Sequence, residues 1–458
     1  MIFATTRHLA SSIREGRFSV CEVLDAHLQQ IDKYNPALNA IVTLDVEGAR
    51  QRARKADQAL ARGDLWGPLH GVPFTLKDCH STAGMRTTAG YLPLADYIPE
   101  KDGTVSQRLK DAGGILLGKT NVSELLVDIQ SDNDVFGRTN NPWRLDRTPG
   151  GSSGGAASAV ASGMVAFDIG SDIGGSIRIP SHFCGLFGLK PTENRVPSTG
   201  HIPGPPGAPR AVRLLASIGP MARSVADLAL LFQIIAGPDG QDVETPPIPG
   251  GPAPRVDLGD LRVAFAPTFP GFPVSRAVAE AVMSVAQSLD ALCAAVEEAV
   301  PADVDFEGDL ERARQLTAMI TEAFDPQSDT PPVSLPDYLQ ALHARDRAIS
   351  AWERFFKEWD VLLCPPSAIT AFAHCPMDSP LTLDGEPIDY WWANAHCKLF
   401  NYTGHPAVVL PYESDADDLP IGIQVVGKRW AESRLLAVAE ALSQVTGEFQ
   451  PPPGFDSA

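Results

Sequence analysis

Basic charge is scarce in this sequence. Its 37 lysines and arginines are outnumbered by 56 aspartates and glutamates, so the formal net charge is −19 at pH 7. A chain with this charge repels phosphate backbones and anionic membrane surfaces. We therefore expect no direct contact with nucleic acid.

Cysteines are also few. The seven are odd in number and scattered, and no two of them have the spacing of paired zinc ligands. The sequence therefore predicts neither a disulfide framework nor a structural metal, and it fits a reducing compartment. The seven are Cys21, Cys79, Cys184, Cys293, Cys364, Cys375 and Cys397.

Long apolar runs are absent. No stretch approaches the roughly 20 apolar residues of a membrane span, and residues 1–17 lack the basic start and apolar core of a secretory signal. We expect a cytoplasmic protein without a membrane span. The sequence leaves open whether the chain forms a homodimer.

What the sequence has is the composition of a globular protein, with 44% hydrophobic and 20% charged residues. Its 458 residues allow two or three domains or one large α/β domain. Strand-like and helix-like segments alternate on both sides of a Pro- and Gly-rich stretch at 237–254. This alternation predicts an α/β fold with a mixed, mostly buried sheet.

Hydrophobic periodicity and capping residues predict the individual elements. Ser19 to Glu22 has the pattern of a capping box, before a helix that runs to about Tyr34. Further helices are predicted at 46–60, from Thr104, at 156–162, from Ser224 and at 275–296. Strands are predicted at 39–43, 71–76, 115–117, 164–167, 262–266, 361–363 and 421–426.

Two familiar motifs match by letter but not by context. Residues 113–120 fit the P-loop pattern, but a helix precedes them and 115–117 form a strand where the loop should be. Residues 150–154 fit the nucleophile elbow of α/β-hydrolases, but the preceding stretch, 140–149, is polar and interrupted by prolines. We therefore assign neither motif its usual function.

Glycine and serine crowd two segments, 150–155 and 170–176. A flexible linker would have this composition too, but here the segments frame a small-residue helix and an apolar run, as two turns of one site would. A serine nucleophile needs an adjacent base and donors for the developing oxyanion. The glycines before Ser176 let the backbone N–H groups of 173–176 converge on one oxygen.

Lys77 is a candidate for the base because it ends an apolar strand. Burial there would lower its pKa below the ordinary value of about 10.4. A lysine after a strand is, however, more often a surface residue. The residues alone do not select it over histidines such as His182, His201 or His405.

Taken together, these segments resemble the amidase signature family. The matching blocks occur in the family's order and span nearly the whole chain. Between Lys77 and Phe187 their spacing is similar to that of fatty acid amide hydrolases, without the membrane segment of the mammalian enzymes. The blocks are 71–78, 118–121, 137–142, 150–155, 172–178, 184–191, 219–223, 401–406 and 419–424.

The resemblance implies a serine hydrolase with a Lys77–Ser152–Ser176 triad. Ser176 would form an acyl-enzyme, and Ser152, held by a cis peptide bond, would relay its proton to neutral Lys77. Lys77 would later return the proton to the amide nitrogen, which leaves poorly unless protonated. The other positions implied are an oxyanion hole at Ile173, Gly174 and Gly175, support by Ser153, Asp172 and Arg178, and an acyl pocket at Leu126, Val127 and Asp128.

The family also implies the amidase signature fold, whose large mixed sheet is covered by helices on both faces. We expect one domain over 1–458, with a catalytic core at 65–235, a surface crossover at 237–254, and a part at 255–458 that completes the sheet and the substrate pocket. Trp391 and Trp392 either line that pocket or pack in the core.

The activity that we expect is hydrolysis of a small-molecule amide without a cofactor. The alternative is the ammonia-supplying amidase component of a tRNA-dependent amidotransferase, which works with a partner. A non-catalytic binding protein is disfavoured because all three triad positions are present.

Overall fold

The computed structural model describes residues 1–202, 214–248, 254–322 and 333–455. Within these ranges thirteen strands and twelve α-helices alternate along the chain. The strands are β1 (Ile41–Leu44), β2 (Pro73–Lys77), β3 (Ile115–Thr120), β4 (Asp168–Asp172), β5 (Phe187–Lys190), β6 (Ser217–Ala222), β7 (Arg262–Phe265), β8 (Ala295–Glu298), β9 (Val361–Cys364), β10 (Leu381–Leu383), β11 (Glu386–Ile388), β12 (Ala407–Ser414) and β13 (Pro420–Gly427). The helices are α1 (Thr6–Arg14), α2 (Val20–Leu38), α3 (Val46–Ala61), α4 (Thr104–Asp111), α5 (Gly154–Ala161), α6 (Arg178–Cys184), α7 (Val225–Ile235), α8 (Arg276–Asp290), α9 (Phe306–Glu322), α10 (Leu335–Phe355), α11 (Ala395–Tyr402) and α12 (Glu432–Thr446).

Eleven of the strands form one mixed sheet in the order β1-β3-β2-β4-β6-β5-β12-β13-β9-β7-β8. Strand β2 is parallel to β3 and β4, and β7 is parallel to β8 and β9. The other neighbours in this sheet are antiparallel. Strands β10 and β11 form a separate hairpin.

Alternate residues of the central strands face two different hydrophobic clusters. In β9, Leu363 joins the larger cluster and Leu362 the smaller one, and Val425 and Val426 of β13 divide in the same way. Residues of α8 and α12 complete the larger cluster, and residues of α10 and α11 complete the smaller. The sheet is therefore covered by helices on both faces, as expected, and its strands read as continuous apolar runs for that reason.

Capping residues locate several helices as the sequence predicts. The Ser19 hydroxyl accepts from the Glu22 N–H while the Glu22 carboxylate accepts from the Ser19 N–H, so the capping box before α2 is present. Ser224 caps α7 in the same way through Asp227. Helix α2 extends past Tyr34 to Leu38 before Asn39 ends it in the left-handed conformation.

Three predicted elements differ from the structure. Helix α4 has Gly103 at its N-cap, because the Thr104 hydroxyl donates to Asp239 instead. Residues 164–167 are not a strand: they are buried bends that lead into β4, and apolarity alone does not separate the two. Helix α8 ends at Asp290 rather than Val296, which lies in β8 opposite Val263.

The two rejected motifs lie as the context indicated. Residues 115–120 of the P-loop match form β3, and the Lys119 amine is buried and donates to the His80 carbonyl. No strand lies within 140–149.

Other absences concern the described ranges only. The part of the expected crossover at 237–248 contains neither helix nor strand, and 249–253 lies outside the described residues. The seven cysteines of the chain all lie in described segments and form no disulfide. No described helix is long and apolar enough to cross a membrane.

Candidate active site

The candidate site lies where two parallel strands end. Lys77 is the last residue of β2 and Asp172 the last of β4, and because these neighbouring strands are parallel, their carboxyl ends meet at one edge of the sheet. The Lys77 amine is fully buried there. It lies 2.7 Å from the Ser152 hydroxyl, 3.0 Å from the Ser171 hydroxyl and 3.3 Å from the Ser171 carbonyl.

These contacts suit a neutral amine. Its two N–H groups can point to the two oxygens of Ser171, which leaves the nitrogen lone pair to accept a hydrogen bond from Ser152. Burial lowers the pKa of Lys77 from 10.5 to about 8, although the nearby carboxylates of Asp172 and Asp168 favour the charged form. A base with this pKa is neutral in a useful fraction of molecules near pH 7.

Ser152 is held in a tight turn before α5. Its peptide bond to Gly151 is cis, and a Cβ at Gly151 would lie 2.3 Å from the Gln130 carbonyl oxygen, so only glycine fits. The Ser131 hydroxyl accepts from the Gly154 N–H at 2.8 Å and lies 3.1 Å from the Gly150 carbonyl and 3.3 Å from the Ser152 carbonyl. Ser131 thus fixes both sides of the turn.

Ser176 lies in the loop between β4 and α6 and is nearly buried. Its hydroxyl makes no hydrogen bond to the part of the chain that the structure describes. The structure therefore joins Lys77 to Ser152 directly but shows no hydrogen bond from Ser152 to Ser176.

The backbone amides before Ser176 are not equivalent. The Gly175 N–H donates to the Asp172 carboxylate at 2.8 Å, so we correct its expected place in an oxyanion hole. The N–H groups of Ile173, Gly174 and Ser176 have no acceptor among the described residues. Three donors thus remain for an oxyanion.

A buried ion pair supports this loop. Arg178 donates to Asp172 through Nη2 at 2.8 Å and Nε at 3.0 Å, and both side chains are inaccessible to solvent. Burial favours protonation of Asp172, but the Arg178 guanidinium outweighs it and holds the pKa of Asp172 well below its usual range. The Asp172 carboxylate also accepts from the Ile177 N–H. Ser153, also expected to support the site, contacts the Ser171 carbonyl at 3.4 Å.

The three residues expected in the acyl pocket do not share one surface. Leu126 is buried against Cys79, Val127 is 54% exposed, and Asp128 accepts a 2.6 Å hydrogen bond from the Tyr390 hydroxyl. Burial raises the pKa of Asp128. Since its carboxylate is already engaged, the structure does not bring these three residues together as a pocket.

Trp391 and Trp392 also separate. Trp391 packs edge-on against Tyr390 and donates to Asp378 at 2.7 Å, whereas Trp392 packs against Phe272. Trp392 lines a cavity of about 1120 Å³ beyond the ends of β7 and β8, and no residue of the predicted triad lines that cavity. Within the described ranges no group of three or more His, Cys, Asp or Glu residues is placed to hold a metal.

Sequence reasoning missed two serines that contact the site. Ser171 binds the Lys77 amine, and its only signal is that it precedes Asp172 at the end of a strand. Ser131 lies about twenty residues before the turn that it fixes, and a lone serine in a polar segment gives no sign of this contact.

The comparisons with known proteins agree on one family. The model of the Amidase family matches residues 22–323 and 312–436. The chain is 34% identical to the first subunit, by letter, of the glutamyl-tRNA(Gln) amidotransferase of Synechococcus sp. (strain CC9605), over 95% of each chain. It is 32% identical to an acylamidase of Rhodococcus erythropolis, over 94% of this chain and 93% of the relative. Its fold matches the solved structure of a protein complex related to an s-triazine catabolic enzyme with a TM-score of 0.86 at 28% identity, over 98% of this chain and 100% of that one.

Proposed function

The chain belongs to the amidase family, and from that premise we propose that it hydrolyses a carboxylic amide through an acyl-enzyme on Ser176. The observation that carries the proposal is the buried Lys77 amine, 2.7 Å from the Ser152 hydroxyl. A buried lysine with a lowered pKa, next to a serine and a loop of free amides, has the components of a nucleophilic hydrolase.

The reaction begins with proton transfer along the relay. The Ser176 oxygen attacks the amide carbon while its proton passes to Ser152, and the Ser152 proton passes to Lys77. The second link, from Ser152 to Ser176, forms when substrate orders the Ser176 hydroxyl, since catalytic hydrogen bonds often tighten only in the substrate complex. The amides of Ile173, Gly174 and Ser176 then stabilise the oxyanion.

The same relay runs backwards to complete acylation. As the carbon–nitrogen bond breaks, Ser152 protonates the departing nitrogen and is itself reprotonated by Lys77, so an amine or ammonia leaves. Water then attacks the Ser176 ester with the same base, and a carboxylic acid is released. One lysine thus serves as base and acid in turn, as an amide leaving group requires.

We further propose that residues 1–458 form one domain. The support is the single eleven-stranded sheet, which draws strands from both sides of the 237–254 stretch. Seven unpaired thiols suit a reducing compartment such as the cytoplasm.

The test is covalent labelling of the full chain with a fluorophosphonate. We expect the intact mass to rise by one adduct, Ser176→Ala to abolish the adduct, and the matched Ser106→Ala, which removes a buried hydroxyl on α4, to keep it. An adduct that persists in Ser176→Ala refutes the nucleophile.

A second candidate function is that of the amidase component of a tRNA-dependent amidotransferase. It is favoured by the 34% identity to a subunit of glutamyl-tRNA(Gln) amidotransferase over nearly the whole chain. Hydrolysis of simple amides by the purified chain alone supports the stand-alone amidase. Amide hydrolysis that appears only in a complex with partner proteins supports the amidotransferase.

A further inference from the structure

Two cationic side chains lie beside the loop that leads to Ser176. Lys398 of α11 is nearly buried, and its amine donates to the Ile173 carbonyl at 3.2 Å and to the Thr317 hydroxyl at 2.7 Å. Arg314 of α9, one turn before Thr317, lies with its guanidinium carbon 5.7 Å from the centre of the Trp392 ring. The mechanism described above uses neither of them.

Neither cation has an anionic partner among the described residues. The Arg314 Nη2 atom is buried without a hydrogen bond, and no ion pair in the described part of the chain includes Arg314 or Lys398. Arg312, two residues away, is by contrast paired with Asp309. The nearest carboxylate, Asp172, is already bound by Arg178. Buried charge that is unpaired is costly to the fold, so an anion from outside the chain would relieve that cost.

A third donor completes the group. Asn394 lies one helical turn before Lys398, and its side-chain amide makes no hydrogen bond to the described residues. The position of a Cβ at Gly174 would be 3.3 Å from the Asn394 Nδ2 atom and 3.8 Å from the Lys398 Nζ atom. The glycine therefore leaves a small space, two residues before Ser176, that is bordered by an amide donor and an ammonium group.

We infer that Asn394, Lys398 and Arg314 bind a carboxylate of the substrate, so that the enzyme selects short amides that carry a carboxylate close to the scissile bond. A guanidinium, an ammonium and an amide N–H group together match the acceptor oxygens of a carboxylate. Recognition of this kind offsets the chain's overall charge of −19, which otherwise repels an anionic substrate. The inference rests on the proposed function and names its substrate class.

The test compares amides that differ only in charge. The purified full chain is assayed with malonamate, succinamate and glutaramate, and with the neutral diamides malonamide, succinamide and glutaramide. We expect at least one acid to exceed its diamide in kcat/KM by roughly 10- to 100-fold, the range of a hydrogen bond between charged groups. The difference should lie mainly in KM, and succinate should inhibit competitively where butyrate does not.

Variants assign the preference to the residues. Lys398→Met should lower kcat/KM for the preferred acid far more than for its diamide, and Lys398→Arg should retain part of the preference because it keeps the charge. Lys357→Met, which removes an exposed lysine, is the matched control. If Lys398→Met does not fold, as judged by circular dichroism, the wild-type preference and succinate inhibition decide the matter.

The outcomes separate the two proposals. Fluorophosphonate labelling of Ser176 with equal or faster turnover of every diamide overturns this inference and leaves the amidase intact. Equal losses for acid and diamide in Lys398→Met overturn it as well. No labelling and no amide turnover refute the proposed function itself.

Discussion

The reactivity of Ser176 should follow the protonation state of Lys77. Below its pKa the lysine carries a proton and cannot accept another from Ser152, so the rate should rise tenfold per pH unit up to about pH 8 and then level off. With a pKa of about 8, about one lysine in eleven is neutral at pH 7, compared with about one in 3000 at the ordinary 10.5. Burial of Lys77 therefore increases the reactive fraction about 300-fold.

The assay is the second-order rate of fluorophosphonate labelling between pH 6 and pH 10, which needs no knowledge of the substrate. Lys77→Met should lose both the acid limb and most of the rate. The matched control is Lys119→Met, because Lys119 is equally buried, has a pKa of about 8 and donates to the His80 carbonyl rather than to a serine. Lys398→Met tests the lysine of similar pKa beside the loop, and both of these variants should keep the limb.

Two results would refute this reasoning. A limb centred near pH 6.5 in the wild type would indicate a histidine as the base. A limb near pH 8 that survives in Lys77→Met would assign it to another group.

Two further predictions concern the loop before Ser176. Arg178→Met leaves the Asp172 carboxylate buried without its partner, so it should lower the free energy of unfolding by about 3–5 kcal/mol in urea denaturation; wild-type stability would show that the pair is dispensable. Gly175→Ala places a Cβ 2.7 Å from Ile179 Cδ1 and 2.9 Å from Cys397 Cβ at a φ of +108°, and should cost about 1–3 kcal/mol from the overpacking alone. Gly63→Ala, at a φ of +78° with open space around it, measures the backbone effect by itself, and equal losses for the two variants would contradict the packing argument.

The fold was largely predictable because its strands are buried on both faces. Residues 115–117 and 361–363 are apolar runs of strand length, and both lie in the sheet. The errors came where burial and hydrogen bonding part. Residues 164–167 are as apolar as a strand but only bend, and Val296 continues an apolar pattern after the helix has ended and β8 has begun.

The site was predictable only in part, because its contacts join distant segments. Lys77 and Ser171 are 94 residues apart in sequence, and they meet because β2 and β4 are parallel neighbours, which no local pattern states. Gly175 was expected to donate to the oxyanion because its neighbours do not differ from it in sequence. The Asp172 carboxylate distinguishes it, and only the folded loop places that carboxylate within reach.

Burial by itself does not identify a catalytic lysine in this chain. It lowers the pKa of Lys77, Lys119 and Lys398 to about 8 and that of Lys190 to about 7. What separates them is the partner of each amine: the Lys119 and Lys190 amines contact backbone carbonyls, that of Lys398 borders the space at Gly174, and only that of Lys77 contacts Ser152. A lowered pKa makes a lysine available as a base, but its neighbours decide whether it moves a proton, binds an anion or only fills the core.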